Sequence, residues 1–256
     1  MDAAQLQTLA ENLARNRRAG LVTDLPMSLL ETEADALSAQ SAALDLFDDD
    51  FRGYSLVATN PAVQRSLHLG SPIFAPIASR SFHDGLEHII LPRGMLGAQC
   101  ELALTIGETY PFSTDPIDRQ SAAAMIVACQ PAIGLLGRRS RPTGVSEFAA
   151  IADFGLHVAT IRDASHRHID LSQLDRLEVT ARLNGNVVAR STAGTILGHP
   201  LEAVAWLARK LAGDHRQLNA DDIVLTGSCL PILQVLPGQT LSVEFGTLGA
   251  VSCRFE

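Results

Sequence analysis

Glu101 opens the apolar run Glu101-Leu102-Ala103-Leu104-Thr105-Ile106, a setting in which a lone carboxylate points into an interior and can move a proton. The plainer alternative is an ion-pair partner left in the core. Gln99, two residues earlier, carries an amide able to donate a hydrogen bond. Arg138 and Arg139 are adjacent guanidinium groups, each able to grip a carboxylate through two parallel hydrogen bonds. Neighbours on a strand face opposite ways, so only one of them can share a cavity with Glu101 if the strand continues through both. Arg138 is in phase with Gly134 and Leu136 and is the better candidate, with the other arginine then at the solvated surface. Thr226-Gly227-Ser228 closes a short apolar run and offers N–H and hydroxyl groups to an acid oxygen, or forms a simple turn. His83, within 79–85, titrates near neutrality and on a mobile loop over a site can act as acid or base; solvated, it does neither. His166-Arg167-His168 reads as a polar loop without a role. Cys100, Cys129, Cys229 and Cys253 are widely spaced with no CxxC pair, which predicts buried, reduced thiols.

These residues need a scaffold. Leu6, Leu9, Ala10, Leu13 and Ala14 repeat at helical spacing and predict a helix over 3–18. Ser28 with Glu31 has capping-box spacing and predicts a second helix after it. The segment 45–53 then breaks the helical pattern, and from Gly53 the chain changes to short apolar runs between Pro, Gly and Asp. LEHIILP, ELALTIG, PAIGLL and DIVLTG read as strands. Two alternating runs flank Asn184-Gly185, the pair suited to the positive φ angles of a tight hairpin turn. Residues 241–256 read as a closing pair of strands. Thr114 or Asp115, followed by Pro116, predicts the start of one helix, and Pro200 opens another with Leu201, Val204, Ala205, Ala208 and Leu211 as its buried stripe. Strands with occasional helices point to an α+β fold: a helical N-terminal region over 1–52 and a β-rich unit over 53–256.

The composition is 46% hydrophobic and 19% charged, enough apolar material for a substantial core. The net charge of −8 and the absence of Lys/Arg runs argue against a nucleic-acid partner. No stretch has the apolar length of a membrane span, and the polar, amphipathic N-terminus lacks the core of a signal peptide, so a cytoplasmic location is expected.

The segments GTILGHPLEAVAWLARKLA (194–212), IVLTGS (223–228) and PGQTLSVEFGTLGAVSCRF (237–255) resemble the 2-keto-4-pentenoate hydratase and 4-oxalocrotonate decarboxylase family of the fumarylacetoacetate hydrolase-like superfamily. Weaker likeness extends through IADFG, PAIGLLGRR, CELALTIG and GYSLVATN. The resemblance implies a rolled mixed β-sheet with flanking helices, homo-oligomeric assembly, and lyase chemistry on small unsaturated 2-oxo acids. It also implies a magnesium or manganese ion held by a Glu-x-Glu pair and a third Glu, and it draws Lys210 into the substrate site, although a helix-surface ion pair suits that residue equally.

The chain departs from that pattern at the site. Gln99-Cys100-Glu101 keeps one carboxylate of the pair, and Gly134 stands where the third belongs. Ser55 replaces a Lys, and Gly137-Arg138-Arg139 replaces Asp-Ser-Arg. The expectation is therefore an enzyme without a tightly bound cation, in which Glu101 moves a proton, Gln99 supports the enolate, and Arg138 or Arg139 with Thr226 and Ser228 holds a small carboxylic acid. Two alternatives stand beside it: a non-catalytic paralogue that binds an acid or assembles with an active partner, and a metal-dependent hydratase whose site is rebuilt from Glu101 and a distant carboxylate such as Asp153.

Overall fold

The first helix, α1 (Ala3–Ala19), is set at both ends by its own sequence. Asp2 and Gln5 form a reciprocal capping box, and Gly20 turns left-handed to close the last turn. The expected second helix starts later than Ser28. Residues 27–29 make a single 3-10 turn, and α2 (Glu33–Leu44) begins at Thr32, whose Oγ1 accepts from the Asp35 N–H at 3.1 Å. The other helices are α3 (Pro61–Leu67), α4 (Arg119–Ala124), α5 (Glu147–Ala152) and α6 (Pro200–Gly213). Asp118, boxed with Ser121, caps α4. In α6 the predicted stripe Leu201, Val204, Ala205, Ala208 and Leu211 is buried, and His199 accepts from Leu201 N–H as its cap. The computed structural model describes residues 1–47, 49–85, 87–112, 116–141, 146–163 and 170–256. The expected Thr114/Asp115 cap and the triplet 166–168 lie outside them.

Twelve strands appear among the described residues: β1 (Phe51–Val57), β2 (Ile73–Ala78), β3 (Phe82–Asp84), β4 (Glu87–Ile89), β5 (Met95–Ile106), β6 (Ile126–Gly137), β7 (His157–Arg162), β8 (Glu178–Leu183), β9 (Asn186–Thr192), β10 (Ile223–Leu225), β11 (Thr240–Phe245) and β12 (Gly249–Phe255). They form a mixed seven-stranded sheet, β2-β1-β10-β5-β6-β7-β3, and a five-stranded sheet, β4-β12-β11-β8-β9. The β8–β9 hairpin turns at Asn184 and Gly185, with φ of 49° and 83°, as their pairing predicts. All four cysteines are buried and free. No helix among the described residues is long and apolar enough to cross a membrane.

Side chains alternate across the seven-stranded sheet. One face carries Tyr54, Leu56, Cys100, Leu102, Leu104, Ile133, Leu135 and Val224, which join α6 and the five-stranded sheet in one core. The opposite face is covered in two patches. A helical layer of α1, α2 and α5 packs on Val57, Ile73, Ala75 and Leu136, while Ile77, Ala103, Ala132, Ile223 and Leu225 form a second patch with Phe82 against it. Polar residues occupy the strip between the patches.

A buried ion pair ties the end of β6 to α5. Arg139 Nη1 lies 3.3 Å from Asp153 Oδ1, and the Asp153 carboxylate also accepts the Arg139 backbone N–H at 2.7 Å. Burial works against ionisation of both partners, so each depends on the other. Arg139→Ala, which strands Asp153, should lower unfolding free energy by about 3–5 kcal/mol in urea melts, while Arg139→Met combined with Asp153→Leu should recover most of it. An Arg139→Ala protein as stable as the parent would show that the pair carries no such role.

Candidate active site

The polar strip follows directly from strand register. On β5 and β6 the pairs Gln99↔Gly134, Glu101↔Ala132 and Ala103↔Gln130 place these residues on one face. The next strand adds Thr160 beside Gly134 and Arg162 beside Ala132, and β1 brings Ser55 through Leu225 to Ala103. The three positions at which the family resemblance places carboxylates, 99, 101 and 134, therefore converge.

Glu101 is 0% exposed. Its Oε2 accepts from the Gly227 N–H at 3.1 Å and from Gln99 Nε2 at 3.3 Å, while Oε1 has no partner. Gln99 Nε2 also reaches Leu56 O at 3.4 Å, leaving Gln99 Oε1 without a donor. The amide is oriented correctly, since the flipped form would set its oxygen against two acceptors. Gly134 is what makes room: a Cβ there would overlap Glu101 Oε1. Gly227, at φ 77°, lets the backbone N–H approach, and its own Cβ would overlap Thr59 Oγ1, another buried oxygen without a partner. Burial pushes the Glu101 carboxyl up to about 8, only partly opposed by the Gly227 hydrogen bond.

The other predicted site residues do not join this cluster. Thr226 Oγ1 accepts from Leu102 N–H at 3.1 Å, and Ser228 Oγ accepts from Cys100 N–H at 3.0 Å and Leu230 N–H at 3.3 Å. These hydroxyls latch the backbone beside β5, and it is Gly227 between them that reaches Glu101. Lys210 is an exposed helix residue paired with Glu33 at 3.0 Å. His83 lies on β3 rather than a loop, in register with Ile161 of the core face, so strand alternation turns it away from Glu101. Arg139 is taken by Asp153, which also removes that carboxylate from a rebuilt metal set. β6 ends at Gly137, and Arg138 beyond it lines two cavities that neither Gln99 nor Glu101 borders.

One residue was missed. Arg162 shares the sheet face of Glu101 two strands away, roughly 10 Å across the ladder. Asp84 holds its Nε–Nη2 edge at 2.6 and 3.4 Å, and Phe82 lies 5.8 Å from its guanidinium carbon. Its Nη1 makes no hydrogen bond among the described residues. Nothing in the run His157-Val158-Ala159-Thr160-Ile161-Arg162 marks it, because its relation to Glu101 exists only through register.

A model of the fumarylacetoacetate (FAA) hydrolase C-terminal domain matches residues 57–256. The chain is 32% identical to a 2-keto-4-pentenoate hydratase of Burkholderia vietnamiensis, over 79% of this chain and 77% of that protein. It is 30% identical to a 2-oxo-hept-4-ene-1,7-dioate hydratase of Escherichia coli, over 80% and 78%. Its fold superposes on 4-oxalocrotonate decarboxylase from Pseudomonas putida G7 with a TM-score of 0.87 at 22% identity, covering 100% of this chain and 99% of that one. The chain belongs to the FAA hydrolase family, as a diverged member of its hydratase and decarboxylase branch. It is a lyase-type enzyme.

That placement corrects one expectation. The decarboxylase was solved with magnesium and adipate and again with calcium and acetate, so absence of a cofactor is not what this fold leads one to expect. Among the described residues no three His, Cys, Asp or Glu side chains converge, but neutral amide oxygens also ligate hard cations. Gln99 Oε1 and Glu101 Oε1 are buried acceptors with no donor, the kind of ligand a hard cation takes, so the site fits such an ion with a reduced set of protein ligands.

The raised Glu101 value has a stability signature in protein freed of cations. The native state keeps a proton that the unfolded chain releases near pH 4.3. Glu101 therefore opposes folding progressively as pH rises from there to about 8, at about 1.4 kcal/mol per unit, and levels off above. Urea midpoints of parent and Glu101→Gln should agree near pH 4 and diverge in favour of the variant toward pH 8. Parallel curves would mean that the carboxylate is not raised.

Proposed function

We propose that the enzyme hydrates or decarboxylates a small unsaturated 2-oxo acid in the strip between Arg162 and Glu101. The single observation that carries this reading is Glu101, a buried carboxylate with one oxygen held and the other directed over Gly134 without a partner. Arg162 anchors the acid's carboxylate through its unused Nη1 edge, at a distance from Glu101 that a short-chain acid can bridge. Glu101 takes and returns a proton at Oε1, and its poise near neutrality suits transfer in both directions. Gln99 and Gly227 hold Oε2 and so fix which oxygen faces the substrate. The apolar patches on either side exclude water. Gln99 Oε1 and Glu101 Oε1 would hold a divalent cation, which would supply Lewis-acid charge toward an enolate oxygen; with the cation in place Glu101 Oε1 is a ligand, so its proton transfer belongs to the cation-free site. The relatives named as hydratases and a decarboxylase support the substrate class. We extend the family's assembly to this chain and expect a homo-oligomer; light scattering that gives a monomer at micromolar concentration would reject it.

Turnover should be measured with 2-keto-4-pentenoate and 4-oxalocrotonate in magnesium or manganese. Glu101→Gln should cost about 10²–10⁴-fold in kcat. Arg162→Ala should raise KM more than it lowers kcat. Gln99→Glu should tighten cation binding in calorimetry, since it restores a charged oxygen beside Glu101. Parental activity in Glu101→Gln, or no turnover of any 2-oxo acid, overturns the assignment.

A further inference from the structure

A second site lies beyond the end of β6. A cavity of about 350 Å³ is lined by Arg17, Arg18, Arg80, Arg93, Arg138 and Arg139, six of the chain's 20 Lys and Arg residues in a protein of net charge −8. Asp49 pairs with Arg80 at 2.9 Å and Asp153 with Arg139 at 3.3 Å. Among the described residues Arg17, Arg18, Arg93 and Arg138 make no ion pair, and Arg18 hydrogen-bonds only the Leu46 carbonyl. The cavity wall thus carries, among the described residues, more guanidinium groups than carboxylates to pair with them.

Arg17 shows that this is not a solvated charged face. Its guanidinium carbon sits 4.7 Å from the Phe154 ring centroid, with Arg139 at 5.5 Å from the same ring. Its hydrogen bonds go to neutral groups, His157 O at 2.8 Å and Ser81 Oγ at 3.3 Å. Burial and then Arg139 disfavour its charge, and burial with Arg17 and Arg139 keeps His157 neutral. Two guanidinium groups packed on one ring with a single carboxylate between them is an arrangement that an added anion would relieve. Asn16 borders the same cavity at 0% exposure. Its Nδ2 is fixed by Thr23 Oγ1 and Arg139 O, and its Oδ1 has no partner, leaving an acceptor for a hydroxyl or acid proton.

We propose that this cavity binds a small oxyanion, a carboxylate or a phosphate, at a site separate from Glu101. Leu136 is packed into the helical layer between the two, and Gly134 and Gly137 are about 10 Å apart along the strand. The volume lies in the range of small-molecule sites. Arg138 stands where the family resemblance leads to Ser, so part of the charge is particular to this chain.

The full chain, in its native assembly, is titrated calorimetrically with succinate, inorganic phosphate and pyrophosphate, and its arginine Nε resonances are followed by NMR. The expected result is saturable binding of one anion per chain, weakened by added KCl. Arg93→Gln combined with Arg138→Gln should lower affinity about tenfold or more without loss of fold by circular dichroism. Arg162→Ala, which removes the proposed carboxylate anchor of the catalytic strip, should bind as the parent does, and this separates the two sites whatever that strip turns over. Preference for succinate or for the phosphates identifies the source of the oxyanion, and either supports the site. Lack of saturation by all three at millimolar concentration overturns it. So does parental affinity in the folded double variant, or loss of binding in Arg162→Ala.

Discussion

The burial of Glu101 over Gly134 is the constraint around which the candidate site is arranged. A carboxylate without a cationic neighbour is costly inside a sheet, and here it is tolerated because one oxygen is held by the Gly227 N–H and Gln99 while a missing Cβ makes room for the other. The register Gln99↔Gly134 is what brings these together, and β5 and β6, the longest strands described, hold that register through both buried faces. The Thr226 and Ser228 hydroxyls support it from the side by bonding the β5 backbone. They are part of the mounting rather than of the reacting surface.

Local pattern was enough to read α1, α6 and the β8–β9 hairpin, because each is decided by neighbours in sequence: a helical stripe, a capping residue, a turn pair. The start of α2 was misread because two capping candidates stand four residues apart, Ser28 and Thr32, and only packing chooses between them. Glu101 and Gln99 were legible because the family resemblance sets a Glu-x-Glu pair there, and Glu101 also because a carboxylate heads an apolar strand. The same resemblance sets a third ligand at Gly134, which the register puts on their face. Strand phase does not carry to Arg138, which lies past the strand end, where alternation no longer governs direction.

His83 and Arg162 show the same limit from opposite sides. Both belong to sheet segments whose neighbours are distant in sequence, and only the parallel pairing of β3 with β7 sets their faces. That pairing puts His83 beside Ile161, on the core side, and Asp84 beside Arg162, on the face of Glu101. A histidine attractive as an acid or base is thereby removed, and an arginine with no local signature is supplied.

The two ends of this stretch of β6 each leave polar groups short of partners. At Gly134 burial keeps a carboxyl protonated well above the usual carboxylate range with one oxygen unpartnered; past Gly137 guanidinium groups outnumber carboxylates among the described residues. An isolated buried charge lowers stability, and a fold under no other demand would replace or pair it. Arg139 and Asp153 show that this chain does pair buried charges where structure alone is served. Among the described residues the groups left without partners are therefore concentrated where a cavity or an unpartnered oxygen adjoins them, which is where a ligand can complete the balance.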